Sequence, residues 1–244
     1  MKLGAIVAGA TGGIGKAVAT NLSKKYKYIL LLGRDEYKLT SLVEDLSERF
    51  PDNKYFDATA DITYLKDVEY VVSDFAKICD RVDLMVNAAG ILFTGTSDIT
   101  YDKLIKLIEV NFIGVYNLTQ SVLPQMKKNN KGKIIHILSM SATRSMPGVG
   151  GYSASKSAAA SYLDSLIKDT IDTNINITSV NPGYVATEMT HNSTKLKQEE
   201  MLTPENVASV VDFIVNVPSH VVIKEINLQC RTQIAKIFGG PYFQ

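Results

Sequence analysis

Short apolar runs and longer amphipathic stretches alternate along the whole chain. Leu3–Ala8, Tyr28–Leu32, Lys54–Asp61, Asp83–Val86, Lys133–Leu138, Asn174–Val180 and Val221–Leu228 have the length and residue content of strands. Between them, Glu36–Phe50, Leu65–Ile78 and Asp102–Lys128 repeat apolar residues at helical spacing. In the first, Leu39, Leu42, Val43, Leu46 and Phe50 make a core-facing stripe. Ala158, Ala159 and Ala160 favour a further helix from Tyr152 to Ile171. Thr203-Pro204-Glu205 reads as a helix start, with Thr as cap, Pro at the first position and an acid in the first turn. Strands alternating with helices predict an α/β fold, a single doubly wound parallel sheet of about seven strands with helices on both faces. No repeat or linker interrupts the pattern, so residues 1–241 read as one domain. Tyr242-Phe243-Gln244 resembles a protease-site scar, and the polar stretch His191–Glu200 is a candidate mobile lid.

Chemistry concentrates where the strands end. After Leu3–Ala8 comes Gly9-Ala10-Thr11-Gly12-Gly13-Ile14-Gly15, then a helical stretch. Glycines there let the backbone turn tightly and let a phosphate approach helix N–H groups. The spacing is G-x-x-x-G-x-G rather than the G-x-G-x-x-G of the common dinucleotide fingerprint. The second strand ends at Gly33-Arg34-Asp35. An acid at that point would bind the ribose 2′-hydroxyl of NAD, whereas a bare Gly33 followed by Arg34 suits a 2′-phosphate. NADP(H) is therefore the expected cofactor, with NAD(H) the alternative if Asp35, one residue on, takes that place. Small residues at Asn87-Ala88-Ala89-Gly90 end the fourth strand, where open α/β sheets bind ligands. Asn111 stands inside a helical pattern, and its structural reading is a hydrogen bond to a neighbouring strand.

Tyr152 and Lys156 stand four residues apart and so share a helix face. A free Tyr has a pKa of about 10, and a cation fixed beside it lowers that value towards useful acid/base chemistry. The pattern also arises by chance in surface helices, so its weight comes from its neighbours. The balance of 26 basic and 25 acidic residues gives no electrostatic reason to expect nucleic acid or an anionic membrane surface. No apolar run has the length of a membrane span. Cys79, Cys230 and three scattered histidines form no metal-ligand spacing and read as ordinary residues, the thiols as buried and free. A cytoplasmic location is expected.

In order along the chain, Gly9-x3-Gly13-x-Gly15, Asn87-Ala88-Ala89-Gly90, Asn111, Ser139, Tyr152-x3-Lys156 and Asn181-Pro182-Gly183 resemble the short-chain dehydrogenase/reductase family over nearly the whole length. Ser139 stands thirteen residues before Tyr152, the family's usual interval. The resemblance implies a Rossmann-type fold and a hydride transfer between NADP(H) and a small carbonyl or alcohol. It implies Tyr152 as proton donor or base, Lys156 lowering its pKa and binding the nicotinamide ribose, Ser139 on the substrate oxygen, and Asn111 holding a relay water. Gly9, Thr11, Gly13, Gly15, Asn87, Ala88, Gly90, Pro182, Gly183, Val185 and Thr187 would line the cofactor, with Asp61 near the adenine and Ile14 on the nicotinamide side. It also implies a homodimer or homotetramer joined through the Asp102–Lys128 and Tyr152–Ile171 helices.

Departures exist. Ala8 replaces a frequent Thr, and Gly12 stands where some NADP-using members carry a second basic residue. Glu225–Gln229 lacks the Asp-Gly-Gly of many oxoacyl reductases and is closer to 3-hydroxy acid and general carbonyl reductases. A non-catalytic cofactor sensor or scaffold on the same fold is the competing reading, and the complete Asn111, Ser139, Tyr152, Lys156 set argues against it. Leu92, Phe93, Met140, Met146, Val149, Tyr184 and Met189 are expected to line an apolar substrate pocket. Arg144 is placed either at a substrate carboxylate or facing solvent or a neighbouring subunit.

Overall fold

The computed structural model describes residues 1–238, with side-chain placement through 236. The scar-like residues 242–244 and the end of the expected domain at 241 lie outside the described residues. Seven parallel strands form one sheet: β1 (Leu3–Ala8), β2 (Tyr28–Gly33), β3 (Lys54–Thr59), β4 (Arg81–Asn87), β5 (Gly132–Ile137), β6 (Ile175–Pro182) and β7 (Glu225–Leu228). Their order is β3-β2-β1-β4-β5-β6-β7. Helices α1 (Gly13–Leu22), α2 (Glu36–Arg49), α3 (Leu65–Ala76), α4 (Tyr101–Ile108), α5 (Gly114–Lys128), α6 (Gly150–Asp169) and α7 (Pro204–Asn216) cover it.

Both faces of the sheet are buried, which is why the central strands read as continuous apolar runs. Along β1 the side chains alternate between two cores. Ile6 and Ala8 join Val68, Val72, Phe75, Val115, Leu118 and Leu163. Ala5 and Val7 join Val18, Leu22, Leu39, Leu46, Val207 and Val211. The expected Thr203 cap forms ahead of Pro204 on α7, and the Asp35 carboxylate caps α2 by accepting the Lys38 N–H at 3.1 Å. Strand order reverses between β1 and β4, so successive crossovers leave the sheet in opposite directions there. That opens a crevice at the carboxyl ends of these two strands.

Two expectations change. The helix from Asp102 to Lys128 is not uniform, because a wide π-helical turn, Glu109–Ile113, separates α4 from α5 and carries Asn111. Such turns recur at functional sites. The last strand is shorter than Val221–Leu228. Side chains of Asn176 and Thr178 hydrogen-bond the Val221 and Ile223 carbonyls, so residues 221–223 are held beside β6 by side chains, and main-chain pairing begins only at Lys224, whose carbonyl accepts the Ser179 N–H at 3.0 Å. The stretch His191–Glu200 is anchored by buried Leu196 and by Gln198, whose amide donates to Thr190 O at 2.9 Å.

At the amino end of β5, on the side of the sheet away from the crevice, Lys133 closes the end of α7. Its Nζ donates to the carbonyls of Ile214 (2.8 Å), Val215 (2.9 Å) and Val217. A cation at a helix C-terminus satisfies carbonyls that lack helical partners and complements the helix dipole. Lys133→Met keeps the aliphatic stem and loses these bonds. It is expected to cost about 1–3 kcal/mol, the scale of orphaning buried acceptors, read as a lower urea midpoint with an unchanged slope.

Candidate active site

The crevice is a continuous cleft with two lobes. One lobe, about 530 Å³, is bordered by Gly9, Thr11, Gly13, Ile14, Arg34, Asp61, Ala88, Gly90 and Thr187. The other, about 180 Å³, is bordered by Ser139, Tyr152, Lys156, Pro182, Gly183 and Val185. Ile14, Ala88–Leu92, Thr187 and Met189 face both.

The floor of the first lobe is backbone. Gly9 has φ +70°, and a Cβ there would lie 2.5 Å from the Ala89 nitrogen. Gly15 does not face the cleft: it packs under the loop, where a Cβ would meet Gly9 O at 2.0 Å. Gly12, the residue before α1, supplies no side-chain cap, so the first N–H groups of the helix are free to meet a ligand at the cleft edge. Arg34 stands at the rim. Asp35 is engaged as the α2 cap and does not border the cleft, which leaves the place after β2 to Gly33 and Arg34. Burial raises the Asp61 pKa, but hydrogen bonds from the Thr63 N–H and hydroxyl, with Lys106 and Arg34 nearby, outweigh it and hold the carboxyl below its ordinary value.

Asn87 is buried behind this floor. Its Oδ1 accepts the Ala89 N–H at 2.9 Å, and its Nδ2 meets His136 Nδ1 at 3.2 Å, across paired positions of β4 and β5. His136 Nε2 lies 2.9 Å from Thr119 Oγ1, which donates to Val115 O at 2.7 Å. Since the Thr119 proton is committed, His136 Nε2 must carry the hydrogen and Nδ1 must accept from Asn87. His136 and Thr119 were not among the sequence candidates, because strand register brings His136 to Asn87 and the packing of α5 on the sheet brings Thr119 to His136.

In the second lobe, Tyr152 and Lys156 share one face of α6 as the spacing predicts, with the Lys156 Nζ 5.8 Å from the Tyr152 ring centroid. Both are buried, at 9% and 3% exposure. Burial lowers the Lys156 pKa to about 8. Burial raises the Tyr152 pKa above its ordinary value, and Ser139 pulls it the other way. Desolvation of the phenolate is the larger of these two influences. Ser139 follows β5, and its Oγ accepts the Ser141 N–H at 3.1 Å, leaving its own proton to donate.

Asn111 does not border the cleft. Its amide pairs with both main-chain groups of Ile91, at 3.0 and 2.9 Å, and donates to Ser155 Oγ at 3.0 Å. The bonds expected to a neighbouring strand go instead to Ile91, four residues past the end of β4, and tie the π-turn there. Its Oδ1 and the Lys156 Nζ approach one point, each 3.2 Å from where a Gly90 Cβ would stand. Of the expected pocket residues, Leu92, Met140, Met146, Val149, Tyr184 and Met189 line the second lobe, together with Arg144. Phe93 faces the first lobe instead. Cys79 is buried and Cys230 half-buried, both free. Among the described residues no group of His, Cys, Asp or Glu is placed to hold a metal, and no helix is long and apolar enough to cross a membrane.

A cleft at a strand-order reversal, with a glycine floor and a Tyr–Lys pair, defines a nucleotide-binding oxidoreductase of the α/β class. The short chain dehydrogenase model matches residues 4–198, so the chain belongs to the short-chain dehydrogenase/reductase family and is an oxidoreductase. An uncharacterized oxidoreductase of Staphylococcus epidermidis is 30% identical over 226 residues, covering 92% of this chain and 96% of its own. An NADP-dependent 3-hydroxy acid dehydrogenase of Schizosaccharomyces pombe is 32% identical over 236 residues, covering 90% and 89%. The fold matches an alcohol dehydrogenase of Thermococcus sibiricus complexed with 5-hydroxy-NADP, with a TM-score of 0.85, 24% identity and coverage of 95% and 98%.

The buried His136 makes a prediction. Its pKa is lowered to about 3, first by burial and then by the Lys156 charge, whereas an unfolded His titrates near about 6.5. Between those values only the unfolded chain takes up the proton, so stability falls as pH drops below about 6.5. Urea midpoints at pH 7.5 and 5.0 are expected to fall less in His136→Asn than in the unaltered chain; an equal fall would show that His136 already binds its proton in the folded state.

Proposed function

We propose that this oxidoreductase moves a hydride between NADP(H) and a small carbonyl or alcohol. The observation that carries the reading is the convergence of Ser139, Tyr152 and Lys156 on a lobe continuous with the glycine-floored lobe that ends at Arg34. The bare Gly9 floor and the uncapped α1 suit a pyrophosphate, held also by Thr11, Gly13 and Ile14. Arg34 suits a 2′-phosphate, with Asp61 beside the adenine and Ala88 and Gly90 beneath the riboses. Gly15 and Asn87 act from behind, keeping the floor in place. Lys156, Pro182, Gly183, Val185 and Thr187 border the nicotinamide end, and the nicotinamide supplies or accepts the hydride.

Tyr152, kept protonated by burial, passes its proton to the substrate oxygen in reduction and recovers it in oxidation. The Ser139 hydroxyl donates to the same oxygen, where negative charge develops. Lys156, with a pKa of about 8, can exchange a proton near neutrality and resupply the phenol. Asn111 sits beside it to hold a relay water, a position that its bonds to Ile91 and Ser155 fix. The NADP-dependent relative from Schizosaccharomyces pombe supports the cofactor choice. A homodimer or homotetramer packed through the Asp102–Lys128 segment and α6 is part of the same reading, supported by partly exposed Ile113 in the π-turn and Tyr116 in α5.

Tyr152→Phe is expected to lower kcat about 10²–10⁴-fold with NADPH and small ketones while the NADPH-induced rise in melting temperature persists. Unchanged turnover would remove Tyr152 from the chemistry. NADPH is expected to raise the melting temperature more than NADH does, and Arg34→Ala to abolish the difference. A larger shift with NADH would overturn the cofactor assignment.

A further inference from the structure

One primary amide interrupts the apolar wall of the second lobe. Gln233 belongs to the short helical turn Arg231–Gln233 after β7, is 5% exposed, and borders the same lobe as Ser139 and Tyr152. Its Oε1 accepts the Tyr184 N–H at 3.1 Å, and its own main-chain N–H donates to Cys230 Sγ at 3.4 Å. The amide lies flat on Gly183: a Cβ there would stand 1.9 Å from Oε1 and 2.8 Å from Nε2. Gly183 is thus the vacancy that lets Gln233 reach the cleft. Because a main-chain N–H must meet an acceptor, Oε1 and Nε2 are not interchangeable here. Nε2 is the remaining donor, and it makes no hydrogen bond to any described residue.

We infer that Gln233 Nε2 is a specificity determinant that donates to a second acceptor on the substrate, a carbonyl oxygen other than the one being reduced. This rests on the reading that the lobe receives a carbonyl substrate. A donor that opens only to the cleft and has no protein partner is available to a ligand acceptor, and a site built to make such a bond disfavours the analogue lacking it. Neutral oxo esters meet this requirement without engaging the charge of Arg144.

Gln233→Glu is the discriminating variant. One carboxylate oxygen still accepts the Tyr184 N–H, and the donor becomes an acceptor. Binding of ethyl 3-oxobutanoate, ethyl 4-oxopentanoate and 2-heptanone is measured by calorimetry in the presence of NADP⁺, where no reduction can occur. At least one ester is expected to bind about three- to tenfold more tightly than the ketone. That advantage is expected to vanish in Gln233→Glu, with ketone binding and the NADPH-induced melting shift unchanged. Gln233→Met, which drops both amide atoms, is expected to lose the same preference. Equal affinities for ester and ketone, no measurable binding of either, or an equal loss for both in the variants would overturn the assignment and leave Gln233 a loop tether. Because binding is read without turnover, discrimination in a chain that fails to reduce ketones with NADPH would count against the proposed reaction and not against Gln233.

Discussion

The site depends on two pieces of backbone lying against each other with nothing between them. Gly9 turns at the end of β1 directly under Ala88 and Ala89 at the end of β4. Any side chain at Gly9 would have to occupy space already taken by the Ala89 main chain. These two strands flank the reversal of strand order, so their carboxyl ends are where the crossovers leave the sheet uncovered. A ligand entering there meets amide groups and helix N–H donors rather than side chains.

That contact needs support from behind, and polar groups in the core supply it. Asn87 fixes the Ala89 N–H, His136 fixes Asn87, and Thr119 fixes His136. Each member is buried and each hydrogen-bonding group in the chain has a defined direction. Such a network is costly to leave half-made, so it specifies one arrangement of β4, β5 and α5. Asn111 plays the equivalent part on the other side, tying the π-turn to Ile91 and to Ser155 on α6. The face of α6 that carries Tyr152 and Lys156 is thereby held against the end of β4.

Burial also sets the chemistry. Lys156 and Tyr152 are removed from water together, and each is driven towards its neutral form. A simple cation-beside-phenol picture foresees only the attraction between phenolate and ammonium. The loss of hydration acts on both groups at once, and on the phenol it outweighs the Ser139 hydrogen bond.

The alternation of apolar runs and amphipathic stretches was enough for the doubly wound sheet, with most element ends within a residue or two, because hydrophobic period is a local property. The glycine loop and the Tyr152–Lys156 pair were legible for the same reason: their geometry is set by a turn or by helical spacing. Residues 221–223 misled because side-chain bonds from β6 replaced a ladder that their composition suits. The π-turn was hidden inside a regular apolar repeat, because the cause is a bond from Asn111 to a segment twenty residues away. His136, Thr119 and Gln233 carried no signal at all, since each acquires its role from a partner 17 to 49 residues distant. What the sequence determined by itself was the order of elements and the residues offered at the strand ends. Which of those residues meet, and whether burial or charge governs them, was decided only by the tertiary structure, because register and desolvation are properties of the packed sheet.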